Sequence, residues 1–360
     1  MDTKEHNHSH DNHLWPGVPL ALGSAALFGA STPLAKLLIG SIDPWMLAGL
    51  LYLGAGIGLA VYSRIKRIIG VKTGEAPLRK ADAPWLLLVI LFGGVAGPVL
   101  LMLGLAQVEA SAAALLLNLE GLATMLIAWV VFRENVDRRI LLGAFAILAG
   151  AVLISWQGFG GGTGVGMLLI AAACLSWGVD NNLTRKLSSA DPVQIVTIKG
   201  LVAGGVNVGL ATLHDTSLPP SSALVAAAVV GFFGYGVSIV CYVHALRHLG
   251  TARCGAYFST APFIGAALAL LLFNEPLTWR LAAAGALMLW GVWLHVTEGH
   301  AHDHDHEEMT HEHAHTHDAH HQHEHGPDDP KGEPHVHVHT HKPLRHRHPH
   351  FPDLHHRHRH

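Results

Sequence analysis

The chain has 360 residues, half of them hydrophobic and only 14% charged, with a formal net charge of −3. Soluble domains carry about a quarter charged residues, so this balance excludes a pair of them, and it leaves no basic excess to hold a nucleic-acid partner. The charges also avoid most of Gly17 to Val296, the distribution of a membrane protein.

The first sixteen residues are polar and carry His6, His8, His10 and His13. They lack the basic start, short apolar core and cleavage site of a secretory signal, so the first apolar run is expected to persist as a helix. A helix needs about 17 to 25 apolar residues to cross the hydrocarbon core. Ten such runs follow: Pro19 to Ile39, Trp45 to Ile65, Trp85 to Ala106, Ala110 to Phe132, Ile140 to Trp156, Met167 to Leu187, Val193 to Leu213, Leu224 to Leu249, Cys254 to Phe273 and Leu281 to Val296. Cys174, Cys241 and Cys254 fall in or beside these runs, as buried packing residues do, and argue against a disulfide framework.

Lys and Arg in short loops are retained on the cytoplasmic side. The second connection holds Arg64, Lys66, Arg67, Lys72, Arg79 and Lys80, and the fourth holds Arg133, Arg138 and Arg139. The sixth begins with Arg185 and Lys186, the eighth carries Arg247 and Arg253, and only Arg280 stands near an odd-numbered connection. Both termini are therefore expected on the cytoplasmic side of an inner or plasma membrane, around a multi-pass body.

That body is written twice. Leu27-Phe-Gly-Ala-Ser-Thr-Pro-Leu-Ala-Lys36, then Asp43-Pro44, parallels Ser176-Trp-Gly-Val-Asp-Asn-Asn-Leu-Thr-Arg185, then Asp191-Pro192. Phe132-Arg-Glu134 is answered by Phe273-Asn-Glu275, each followed by a Gly-rich apolar segment. Five spans per copy is an odd number, so the copies are expected to insert in opposite orientations, an arrangement from which many secondary carriers build a midplane site.

With these residues in place the chain resembles the EamA type of the drug/metabolite transporter superfamily, over about Gly17 to Val296. The most specific stretch is Ala112-Ala-Ala-Leu-Leu-Leu-Asn118-Leu-Glu120-Gly121, running on to Phe132-Arg-Glu134, Gly143 and Gly150. Members of that family typically show an apolar helix with Leu-Glu-Pro near its middle and Gly-Glu at its end. Here Gly121 replaces the Pro, Arg133 and Asn274 replace the Gly, and the second copy keeps Pro262 but has Ala261 in place of the carboxylate. The resemblance implies an all-α integral membrane protein of ten transmembrane helices in two inverted five-helix repeats, 17–157 and 163–298. A His-bearing tail (1–16) and a disordered His-rich tail (299–360) flank them. It implies a secondary carrier of small metabolites, often outward, among them amino acids, amines and drugs, with the lipid bilayer and a small-molecule substrate as partners. A homodimer stays open. The body has no phosphate-binding loop, Gly-x-Ser-x-Gly elbow or zinc-protease motif, so it reads as no enzyme and requires no cofactor; an ion or substrate gradient is the expected energy source.

An ionisable group within a spanning helix costs a few kcal/mol and usually faces a cavity or a partner. Glu120 leads the candidates on that ground. It stands near the middle of the fourth run, with Thr124 one turn later on the same face and Asn118 two residues away on another. A lone carboxylate there suits reversible proton binding and exchange for a cationic or zwitterionic substrate. Lys36, late in the first run, and Lys199, two turns into the seventh, are its possible partners; the repeat matches Lys36 to Arg185, which reads as an interface anchor. Asp180, Asn181 and Asn182 interrupt the sixth run and cover different faces, so one or two of them can line a cavity. Asp180 is the deepest and can bind an amine or pair with Lys199. The runs Gly54-x-Gly56-x-Gly58 and Gly93-Gly94-x-x-Gly97 read as close helix contacts. Cys241, His244 and His248 fall on one stripe of the eighth run, a thiolate and imidazole set suited to zinc, nickel or copper.

From His300 onward the chemistry changes. This segment holds 23 of the chain's 31 histidines, largely as His-x-His, interleaved with acids early and with Arg late. His302, His304, His306, His311, His313, His315 and His317 lead the set. With almost no apolar residues, the tail is expected to be disordered. Its neutral imidazoles are expected to bind Zn, Ni, Co or Cu, with protons competing as pH falls through about 6.5. Three functions are consistent with this sequence: a metabolite carrier with metal-binding tails, a divalent transition-metal efflux or homeostasis protein, and a non-transporting metal sensor or scaffold.

Overall fold

The computed structural model describes residues 16–70, 76–132, 138–156, 164–187, 190–214, 216–296, 300–306, 309–315, 335–341 and 344–350. Its helical body runs α1 (Gly17–Ile39), α2 (Pro44–Ile68), α3 (Ala83–Val89), a π-helical segment π1 (Ile90–Ala96), α4 (Gly97–Leu105), α5 (Ala110–Leu116), α6 (Asn118–Phe132) and α7 (Arg138–Ser155). The second half follows with α8 (Gly164–Thr184), α9 (Pro192–Leu213), α10 (Ser221–Gly231), a second π-helical segment π2 (Phe232–Val237), α11 (Ser238–Phe258), α12 (Ala261–Phe273) and α13 (Trp279–Val296). Among the described residues nine helical segments are long and apolar enough to cross a bilayer, and the remaining expected span is α13, 18 residues long. Large apolar side chains such as Val130, Phe145, Leu168 and Leu271 are 70–77% exposed, which fits lipid in place of water around the bundle.

The spans are less regular than their hydropathy. The third and eighth are each interrupted by π1 or π2, and the fourth steps at Leu117, where i→i+3 bonds (Leu117 N to Ala114 O, 3.2 Å; Glu120 N to Leu117 O, 3.0 Å) separate α5 from α6. Helical backbone also continues through the expected connection between the eighth and ninth spans, inside α11. Yet Cys254 Sγ lies 3.5 Å from Tyr242 O, and the Tyr242 and Phe258 rings are 4.9 Å apart. A straight helix at 1.5 Å per residue would hold these pairs about 18 and 24 Å apart. The chain therefore reverses between Tyr242 and Cys254, which restores ten crossings.

Local chemistry explains the repeated Asp-Pro. Asp43 Oδ1 accepts the N–H groups of Trp45 (2.9 Å) and Met46 (3.3 Å), and Asp191 Oδ1 accepts those of Val193 (2.8 Å) and Gln194 (3.4 Å). Each Asp caps its helix while the following Pro occupies the first helical position, where its missing N–H costs nothing.

The two copies pack with a pseudo-two-fold relation. α2 lies along α9, its counterpart, and α7 along α13, its counterpart, while the first helix of each copy docks in the other: α1 against α11 and α12, α8 against α4 and α6. The α2–α9 seam is closed by small residues. A Cβ built on Gly56 would stand 2.6 Å from Leu201 N, and one on Gly200 would stand 2.7 Å from Gly56 N, so backbone meets backbone. Gly54, Gly58, Gly94 and Gly97 face Ala228, Phe232, Ala203 and Trp177, confirming the packing role expected of both Gly runs.

Beyond the body, β1 (His300–His306) pairs antiparallel with β4 (Leu344–His350), and β2 (Met309–His315) with β3 (His335–His341). Isolated two-stranded ladders are marginal in water, and this polar sequence offers them no apolar core. The all-α membrane class stands for the helical body.

Candidate substrate and coupling site

Three helices and π1 bring the polar groups of the body together. The step at Leu117 delivers Glu120 in the first turn of α6, half-buried. Its Oε1 accepts from Asn181 Nδ2 on α8 at 3.0 Å. The same amide lies 3.2 Å from Thr124 Oγ1, whose hydroxyl donates to Glu120 O at 2.9 Å. Asn181 is exposed, and Glu120 stands halfway along its span.

One residue away, Asp180 is 5% exposed and its Oδ2 lies 2.5 Å from Lys199 Nζ on α9; Thr184 Oγ1 is 3.4 Å from its other oxygen. Burial of an ion pair is tolerable only when both charges are matched, and here they are. Asn182 takes the third face, buried, donating to Thr124 O (3.0 Å) and Gly178 O (2.8 Å). The three polar residues thus divide as the helical phase dictates: one to the Glu120 carboxylate, one to the lysine, one to packing.

π1 supports the ion pair. Gly93 packs directly on the Asp180 carboxylate and the Lys199 ammonium, and any Cβ there would overlap them. A π segment frees carbonyls from the i→i+4 ladder, and side chains from α2, α8 and α9 take them up. Tyr52 Oη (2.7 Å) and Trp177 Nε1 (3.0 Å) both donate to Gly93 O, Ser176 Oγ (2.8 Å) to Phe92 O, and Asn207 Nδ2 (3.0 Å) to Gly94 O. Aromatic rings continue from here: Tyr52 to Tyr235 (5.5 Å), Tyr235 to Phe28 (5.9 Å), Phe28 to Phe258 (5.3 Å) and Phe258 to Tyr242 (4.9 Å).

The structure therefore joins Glu120, Thr124, Asp180 and Lys199 with Asn181, one of the three polar neighbours the sequence offered, and adds Tyr52 and Trp177, which sequence reasoning did not select. Asn118 is directed elsewhere, donating to Leu115 O (2.8 Å) and approaching Met288 Sδ (3.9 Å). Lys36 is bound away from Glu120: its Nζ donates to Leu105 O (2.5 Å) and Val108 O (2.8 Å), closing the end of α4. Near it, Glu275 accepts the N–H groups of Ala110 (2.8 Å) and Ser111 (3.0 Å) at the start of α5. Asn274 makes this possible by ending α12 in the left-handed region (φ 49°, ψ 37°), so the Phe-Asn-Glu motif is a helix stop followed by a cap for a helix of the other copy. Glu134, its counterpart, lies outside the described residues. Cys241 is half-buried and His244 exposed, the side chain of His248 lies outside the described residues, and no three metal-ligating side chains gather among those described. The side chains of His302, His304, His306, His311, His313 and His315, and all of His317, also lie outside them.

Comparisons with known proteins agree with this architecture. The model of the EamA-like transporter family matches the chain twice, over residues 15–156 and 164–297. An uncharacterized transporter of Methanothermobacter thermautotrophicus is 29% identical over 301 residues, covering 79% of this chain and 87% of its own. The uncharacterized transporter YyaM of Bacillus subtilis is 24% identical over 262 residues (68% and 82%). A "probable amino-acid metabolite efflux pump" of Salmonella typhimurium is 27% identical over 207 residues (52% and 67%). A crystal structure 20% identical in sequence superposes with a TM-score of 0.57 over 77% of this chain and 94% of its own, a likeness of fold alone. With two family matches that together span the whole helical body, this multi-pass membrane protein belongs to the EamA-like transporter family.

Proposed function

We propose that the chain is a secondary carrier that exports small zwitterionic or cationic metabolites across the plasma membrane by alternating access, with both termini cytoplasmic. One observation carries the reading. Glu120 is a half-buried carboxylate at the middle of a span whose hydrogen-bond partner is a neutral amide, Asn181, while the neighbouring Asp180 is already matched by Lys199. An ammonium group or a proton entering the passage has one carboxylate left to neutralise, and it competes with Asn181 for that oxygen. Binding one or the other gives exchange. The Tyr52–Tyr235–Phe28 rings supply an apolar flank for the rest of the molecule. The likeness to the Salmonella efflux pump favours amino-acid-like metabolites as first candidates. The metal-efflux reading has less support in the body, where the described residues gather no metal-ligand set.

The test is counterflow of a panel of labelled amino acids and amines in proteoliposomes, with and without a pH gradient. Uptake by the native chain that falls at least tenfold in Glu120→Gln supports the proposal. Uptake equal in the two proteins removes Glu120 from the mechanism, and no uptake of any compound favours a scaffold.

A further inference from the structure

We propose that the C-terminal tail carries a register-specific site for a borderline divalent transition metal, formed by cross-strand histidine pairs, and that metal binding there closes the two arms of the tail on each other. In the β1–β4 ladder His300, His302 and His304 stand opposite His350, His348 and His346. In the β2–β3 ladder His311, His313 and His315 stand opposite His339, His337 and His335. Counting inward one residue per strand from His300↔His350 reaches His306↔Leu344 and, three steps further, Met309↔His341. Both ladders thus share one alignment, and that alignment sets His against His at six places.

The spacing suits a metal. Alternate strand positions share a face, so each ladder has three histidine pairs at positions of one face. Opposed positions have Cβ atoms about 4.5–5.5 Å apart, within the reach of two imidazoles that meet one ion at about 2.0–2.1 Å. The next pair, two residues on, supplies the remaining ligands. An all-imidazole set selects Zn, Ni or Cu over Mg or Ca.

A second pattern picks the same alignment. Asp303 stands opposite Arg347 and Asp305 opposite Arg345. Slipping one arm by a single residue would set His304 against Arg347 and Asp303 against His348, losing the charge pairs and the histidine pairs together. The acids early in the tail and the arginines late in it are therefore complementary halves of one clasp. This inference does not depend on the transport reading.

The test uses the full chain in detergent micelles and measures Zn2+ affinity by competition with a chromogenic chelator, at a pH above the imidazole range. Three variants keep every histidine: Asp303→Arg with Asp305→Arg, Arg345→Asp with Arg347→Asp, and all four exchanged together. The clasp requires both one-sided variants to bind more weakly, by about tenfold, and the exchanged variant to recover. A loose polyhistidine chelator responds only to added charge, so the two one-sided variants would shift in opposite directions or not at all. Either of those results, or a failure of the four-way exchange to recover, overturns the proposal.

Discussion

Asp180 and Lys199 are worth more as a pair than as charges. Removing one partner of a buried ion pair leaves the other unmatched at a cost of about 3–5 kcal/mol, whereas replacing both by neutral groups of similar volume is often tolerated. Asp180→Asn and Lys199→Met are each expected to lower the melting temperature of the purified protein sharply, and the double variant to recover most of the loss in the same melt. Gly93→Ala places a methyl group into that pair and is expected to cost about 1–3 kcal/mol by overpacking. Glu120, Asp180 and Lys199 were legible in the sequence because an ionisable group among apolar neighbours is expensive enough to demand a reason. Tyr52 and Trp177 were not, and Asn181 stood out only as one of three polar neighbours. An amide is cheap to place near a helix end, an aromatic residue looks the same whether its polar tip is used or idle, and the choice depends on which face the neighbouring helix covers.

The caps belong to the scale of elements. Glu275→Ala removes two charge-assisted bonds from the start of α5 and is expected to cost about 1–2 kcal/mol, with faster amide exchange confined to the first turn of that helix. Asp43→Ala and Asp191→Ala are expected to cost about 1 kcal/mol each. They cap different helices through separate bonds, so the losses should add in a denaturation series. Both Asp-Pro signals were readable because capping needs one oxygen at one position. The π segments and the step at Leu117 were hidden, since hydropathy records how apolar a turn is and not whether its carbonyls find partners at i+4 or i+5. The Glu that follows the ninth span was visible as a motif, but its target, a helix start 164–165 residues earlier, could only come from the fold.

For the whole molecule, the doubled text announced two five-span copies, and odd parity announced their inversion. The exchange of first helices was not announced, because both copies carry small residues on several faces and the sequence does not say which partner each face meets. Since α1 docks mainly on α11 and α12, and α8 mainly on α4 and α6, each half supplies most of the packing surface for the other's first helix. Residues 1–160 or 161–360 expressed alone are expected to be degraded, while co-expression of the two pieces should restore a stable complex in the membrane fraction, measured by immunoblot. A stable single half would mean that each copy packs on itself.

That exchange also sets a clock. Gly17–Ile39 is synthesised before its main docking surface, which ends with Phe273, more than 200 residues later. At about 5–20 residues per second, α1 waits roughly 10–50 s in the bilayer for its main docking partners. During that interval the nascent protein is a substrate for membrane proteases and insertion chaperones. The yield of mature protein therefore depends on the pace of translation as well as on the stability of the finished bundle.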